Sequence, residues 1–94
     1  MTCLRVASYP VDSANVDEIV RRANEDLVPI YRDQNGFESL SVASTGDQIV
    51  SVSRWGSRAD AEAAAPAILE WVKGQSDILN PPTASHIGDE IMSA

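Results

Sequence analysis

The sequence predicts an α+β domain with a four-stranded antiparallel sheet and two helices on one of its faces, in the order strand, helix, strand, strand, helix, strand. Three observations carry this. Four short segments alternate with the period of a strand, two longer ones repeat apolar residues at i, i+3, i+4 and i+7, and turn chemistry separates them at Asn35-Gly36, Thr45-Gly46-Asp47 and Asn80-Pro81-Pro82. With 94 residues and 44% apolar side chains, the chain reads as one globular domain over 1–94.

In the first strand Leu4, Val6 and Ser8 alternate with Cys3, Arg5, Ala7 and Tyr9, and Pro10 ends it because proline cannot donate to a ladder. The first helix starts at Asn15, with Glu18 at capping-box distance. Its stripe is Val16, Ile19, Val20, Ala23, Leu27, Ile30 and Tyr31, and Asn35-Gly36 stops it. Pro29 removes a bond to the carbonyl of Glu25 and predicts a kink, not a break. Phe37 to Ser44 and Gln48 to Trp55 form a hairpin around Gly46. A second helix runs from Ser57, with Asp60 at capping distance, to about Leu79, interrupted at Pro66. Ala84 to Met92 is the last strand, with Gly88 as its expected bulge.

This order is the split β-α-β arrangement of the ferredoxin-like fold, which leaves one sheet face uncovered. A chain this short buries only ~60–65% of its unfolded surface. Closing that face against a second copy is therefore expected, giving a two-fold homodimer. Seven basic residues against fourteen acidic ones give 7 − 14 = −7, with no basic cluster beyond Arg21-Arg22. That balance argues against nucleic acid and anionic membranes as partners. No leader-like or 18-residue apolar stretch occurs, so the expected location is the cytoplasm.

The residues Asn35-Gly36-Phe37, the run Val50-Ser51-Val52-Ser53-Arg54-Trp55-Gly56-Ser57 and the helix opening Arg58-Ala59-Asp60-Ala61 resemble the antibiotic biosynthesis monooxygenase-like family of dimeric α/β barrels, over nearly the full chain. The resemblance implies a pocket between sheet and helices beside Trp55. It also implies oxidation of small aromatic or polyketide-like phenols without metal or flavin, because the deprotonated substrate itself passes an electron to O₂. Haem-degrading relatives share the Trp, but the second helix here has no histidine and the first-strand Asn falls on Ala7 or Ser8, so haem breakdown is not expected. The pocket asparagines of the phenol-oxidising relatives are also unmatched. A non-catalytic ligand-binding module and a purely structural dimer are the competing readings.

Candidate substrate-binding residues are Trp55, Ser8, Ser51 and Ser53. Tyr31 is a candidate donor, and His86, the one side chain with an ordinary pKa near neutrality, is the candidate base. The commoner role for Trp55 is an anchor between helix and sheet, for His86 an exposed or interface strand position, and for Trp71 a rim or dimer contact. Arg5 and Arg54 lie inside strands. There they either neutralise an anionic substrate or pair across strands with acids such as Glu38 or Asp89. No cofactor is expected, since neither metal-ligand spacing nor a glycine-rich phosphate loop occurs.

Overall fold

A computed structural model describes residues 2–94. The strands are β1 (Cys3–Pro10), β2 (Phe37–Ser44), β3 (Gln48–Trp55) and β4 (Ala84–Asp89), joined antiparallel in the order β2-β3-β1-β4. A 3-10 turn, Ser13–Asn15, leads into α1, a composite helix over 16–32, and α2 is Arg58–Gly74. The ferredoxin-like arrangement is therefore the observed one.

Alternation decides what faces the helices. In β1, Cys3, Arg5, Ala7 and Tyr9 are buried under them, and in β3 so are Ile49, Ser51, Ser53 and Trp55. Ile19 and Tyr31 of α1 and Ala61, Ala64, Ile68 and Val72 of α2 cover this face. The opposite face carries half-buried Leu4, Val6, Val50 and Val52, with His86 directly across from Val6.

The helix starts and stops differ from expectation in particular places. Asn15 makes no side-chain cap bond; Asp12 accepts from the Ala14 N–H instead, because the 3-10 turn begins the helical path earlier. Glu18 is thereby freed to bind Arg21 and Arg22, and these two guanidinium groups hold its carboxyl down at about 2. Arg22 also grips Asp77 through both carboxylate oxygens at 3.0 Å, tying α1 to the turn after α2. Ahead of Pro29 the helix widens into a π turn, Ala23–Leu27, in which the Val28 N–H reaches back five residues to the Ala23 carbonyl. The wider turn relieves the clash between the proline ring and the Glu25 carbonyl, so the helix continues without a break. Ser57 caps α2 as predicted, its Oγ accepting from the Asp60 N–H at 3.1 Å.

Three expectations are corrected. Exposed Pro66 does not interrupt α2, whose backbone absorbs the loss of one bond, and the helix ends at Gly74, not Leu79. β4 ends at Asp89, leaving Ile91 and Met92 exposed. Gly88 forms no bulge, since β4 keeps a continuous register with β1; the bulge lies at Glu38, between the pairs Phe37–Trp55 and Ser39–Arg54. That extra residue reverses the side-chain alternation and turns Phe37 toward the helices.

Gly36 adopts φ +76°, its carbonyl accepts from the Gly56 N–H at 2.8 Å, and a Cβ there would run into the Asp60 carboxylate. Gly36→Ala is expected to destabilise the fold by about 1–2 kcal/mol or more in urea unfolding. Gly74→Ala, with open space around it, should be neutral or slightly stabilising.

Candidate functional site

Apolar packing beneath the helices falls into two clusters. One holds Ala7, Tyr9, Val11, Ile19, Ile49, Val72 and Leu79, and the other Cys3, Tyr31, Trp55, Ala61, Ala64 and Ile68. Between them a polar belt crosses the two central strands. Arg5 stands directly across from Ser53, and Ser51, across from Ala7, lies diagonal to Arg5. These three are the buried polar side chains among the described residues.

Arg5 is the unusual member. Its side chain is 2% exposed, Nη1 has no hydrogen-bond partner, and none of the ion pairs among the described residues includes it. Arg54, on the opposite face, pairs with Glu90 at 2.5 Å, one residue beyond β4, in place of the expected partners Glu38 and Asp89. Ser51 Oγ is likewise buried without a partner. Ser53 is satisfied: its Oγ accepts from Trp55 Nε1 at 2.9 Å and approaches the Arg5 carbonyl at 3.5 Å.

An aromatic wall closes the belt at one end. Tyr31, Phe37 and Trp55 pack with ring centroids 5.5 to 5.9 Å apart, tilted or edge-on as aromatic quadrupoles favour. Trp55 has no solvent exposure at all, so it anchors helix to sheet. Burial pushes the Tyr31 hydroxyl up to about 12, opposed in part by the charge of Arg5 and by hydrogen bonding from Ser53 and Arg5. Burial also raises the Cys3 thiol, which suits a packed side chain and not a nucleophile.

Tyr31 and Phe37 form the inner wall of a groove of about 420 Å³ between α1 and β2, with Asn24, Val28, Arg32 and Leu40 around it. The groove exists because α1 leaves β2 poorly covered: Val42, on the helix side of this edge strand, is 51% exposed. A second groove of about 490 Å³, nearly all apolar, lies between the end of α2 and Leu79, Pro81 and Pro82. Neither groove is bordered by Arg5, Ser51 or Ser53; the candidate site is the groove beside Tyr31, because the Tyr31 hydroxyl links it to the belt.

The structure thus gathers Tyr31, Trp55, Ser51 and Ser53 on one side of the sheet. Ser8 and His86 lie on the other face, Ser8 half-buried beside Val50 and His86 exposed. Trp71 packs against the first apolar cluster with a buried, unpartnered Nε1, and so belongs to the edge of the core. Phe37 was missed as a site residue because simple alternation hides the bulge that turns it inward. Arg5 carried a signal, a charged residue at the buried phase of an otherwise apolar strand. Among the described residues no group of three or more His, Cys, Asp or Glu could hold a metal, and no helix is long and apolar enough to cross a membrane.

No protein-family model and no curated protein matches the chain. Solved structures do match its fold over nearly its whole length. A monooxygenase from the gene ActVA-Orf6 of Streptomyces coelicolor, in complex with nanaomycin D, superposes with TM-score 0.79 at 20% identity, covering 98% of this chain and 89% of that one. SnoaB, a cofactor-independent oxygenase of Streptomyces nogalater, gives 0.72 at 12% identity over 98% and 95%. A candidate antibiotic biosynthesis monooxygenase of Chloroflexus aurantiacus gives 0.70 at 14% over 100% and 97%. The fold resemblance read from the Asn-Gly-Phe and strand-Trp-Ser residues is borne out by these neighbours.

Tyrosine burial sets a test. Because the folded pKa lies above the unfolded value of 10.0, the native state holds its proton longer. The stability contribution is intact below pH 10 and falls as pH rises toward 12, by about 2 kcal/mol. Urea unfolding at pH 9 and 11 should show the loss, and Tyr31→Phe should remove most of it.

Proposed function

We propose that this protein is a monooxygenase-like, cofactor-independent enzyme that takes a small aromatic or polyketide-like molecule against Tyr31, Phe37 and Trp55. The observation that carries the reading is a groove walled by Tyr31 and Phe37, with Trp55 and the buried polar groups Ser51 and Ser53 packed behind that wall, in a fold shared with monooxygenases that include a cofactor-independent one. Flat rings suit a tilted aromatic wall, and donors in a water-poor site stabilise the charge of a deprotonated phenol or enol more than water would. Oxidation of an anthrone CH₂ to a ketone by one O₂ releases one H₂O and balances without a cofactor. Tyr31 is the donor in this reading, with Trp55 and Phe37 shaping the site and Ser51 and Ser53 supplying polar contacts.

Dithranol in an oxygen electrode tests it. Uptake above the buffer rate is expected, falling at least ~10-fold in Tyr31→Phe and in Trp55→Phe, as misplacement of a bound ring costs rate steeply. The three rings fill much of the interior themselves, and this favours the second reading, a non-catalytic ligand-binding barrel. Quenching of tryptophan fluorescence by dithranol with no oxygen uptake would select it and sink the enzyme.

We also infer a cytoplasmic homodimer through the open sheet face. Leu4, Val6, Val50 and Val52 form its apolar centre, and Ser8, Ser39, Ser41, Ala43, Ala84 and Gly88 are small enough to let a second sheet approach closely. His86 then belongs to the interface and acts as a base only if it reaches a site from there. Light scattering at micromolar concentration should give twice the chain mass, and Val52→Arg should halve it. A single-chain mass for the unaltered protein would refute the dimer.

A further inference from the structure

The geometry points to a carboxylate-binding subsite in the polar belt: Arg5 Nη1 and Ser51 Oγ receive the carboxylate of an aromatic acid whose ring packs on the Tyr31–Phe37 wall. This deepens the proposed function and rests on its reading of the groove, but it commits to a ligand already charged before any chemistry.

A guanidinium withdrawn from water with a donor left unmatched costs several kcal/mol. No acid among the described residues lies in ion-pair reach of Arg5, and its hydrogen bond to the Tyr31 hydroxyl offsets only part of that cost. Ser51 Oγ, diagonal to Arg5 on the same sheet face, is a second buried polar atom without a partner. The two unpartnered groups occupy diagonal positions on one sheet face, and their chemistry matches one group. A guanidinium edge and a hydroxyl donate together to a planar carboxylate, which accepts at both oxygens. Alcohols and ketones satisfy the hydrogen bonds but leave the charge unpaired. Neither Arg5 nor Ser51 borders the groove as it stands. Tyr31 lies between the groove, whose wall it forms, and Arg5, whose charge acts on its hydroxyl. A ligand entering from the α1–β2 side therefore reaches the belt as the Tyr31 ring swings aside, and its own ring then packs between Phe37 and the displaced Tyr31.

Matched probes separate charge from shape: 2-naphthoate and neutral 2-naphthylmethanol, titrated against tryptophan fluorescence and thermal unfolding. Naphthoate is expected to bind about tenfold more tightly or better, the scale of one charge-assisted hydrogen bond. Arg5→Gln should abolish the preference while leaving naphthylmethanol binding within about twofold, and Arg5→Lys should keep part of it. Arg5→Met should raise the Tm of the ligand-free protein and remove the shift produced by naphthoate. Equal affinity for the two probes, or equal loss of both in Arg5→Gln, overturns the carboxylate subsite and leaves the aromatic groove standing. Equal stabilisation by inorganic phosphate overturns the aromatic acid in favour of a free anion. Binding of neither probe at millimolar concentration overturns the subsite and the groove together.

Discussion

Much of this structure is arranged around one buried charge. Arg5 occupies a position in β1 that the alternation of Cys3, Ala7 and Tyr9 assigns to the core. Its presence divides the apolar interior in two. A guanidinium there cannot face aliphatic side chains at tolerable cost, and the neighbouring strand answers with Ser51 and Ser53 where branched apolar residues would otherwise sit. Ser53 then has a second role, accepting the indole N–H that fully buried Trp55 could not leave unpaired. The polar belt and the aromatic wall are thus one construction sharing a hydroxyl.

Two backbone irregularities aim the aromatic side chains at this belt. The π turn Ala23–Leu27 inserts one residue into the helical register, and the turn that follows carries Tyr31 over the sheet. The bulge at Glu38 does the same for a strand, and without it Phe37 would face the open side. Gly36, in a left-handed conformation beneath the Asp60 carboxylate, joins the two by reversing the chain between them. Single-turn π segments and bulges both recur where side chains must be re-aimed at a site.

How legible these features were depends on their period. Strand order, the hairpin from Phe37 to Trp55 and the Ser57 cap follow from alternation and cap chemistry, and the structure places them where the sequence puts them. The end of α2 was overrun because Ile78 and Leu79 continue an apolar pattern while sitting in a turn, packed on the same core from a non-helical backbone. Proline misled in both directions. Pro29 is absorbed by a register change that no periodicity reveals, and Pro66 sits on an exposed helix face where a lost bond strains nothing else. In the site, Tyr31, Trp55, Ser51 and Ser53 were legible by residue type and strand phase. Ser8 and His86 share the opposite phase, which alternation alone does not assign to either side until the buried face is known.

The likeness to known oxygenase folds and the singularity of Arg5 bear on different questions. A fold shared at 12 to 20% identity places strands and helices, and the same frame hosts unrelated chemistry. What the interior binds is decided by the few polar atoms that the frame turns inward. A domain serving only as a structural unit gains nothing from an unpaired internal cation, since an apolar residue of similar length would fill the space without the desolvation cost. Trp55, Tyr31 and Phe37 are each explained by packing alone; Arg5 is not. The unpaired guanidinium of Arg5 is therefore the most specific feature of this interior, and it bears on charge before it bears on chemistry.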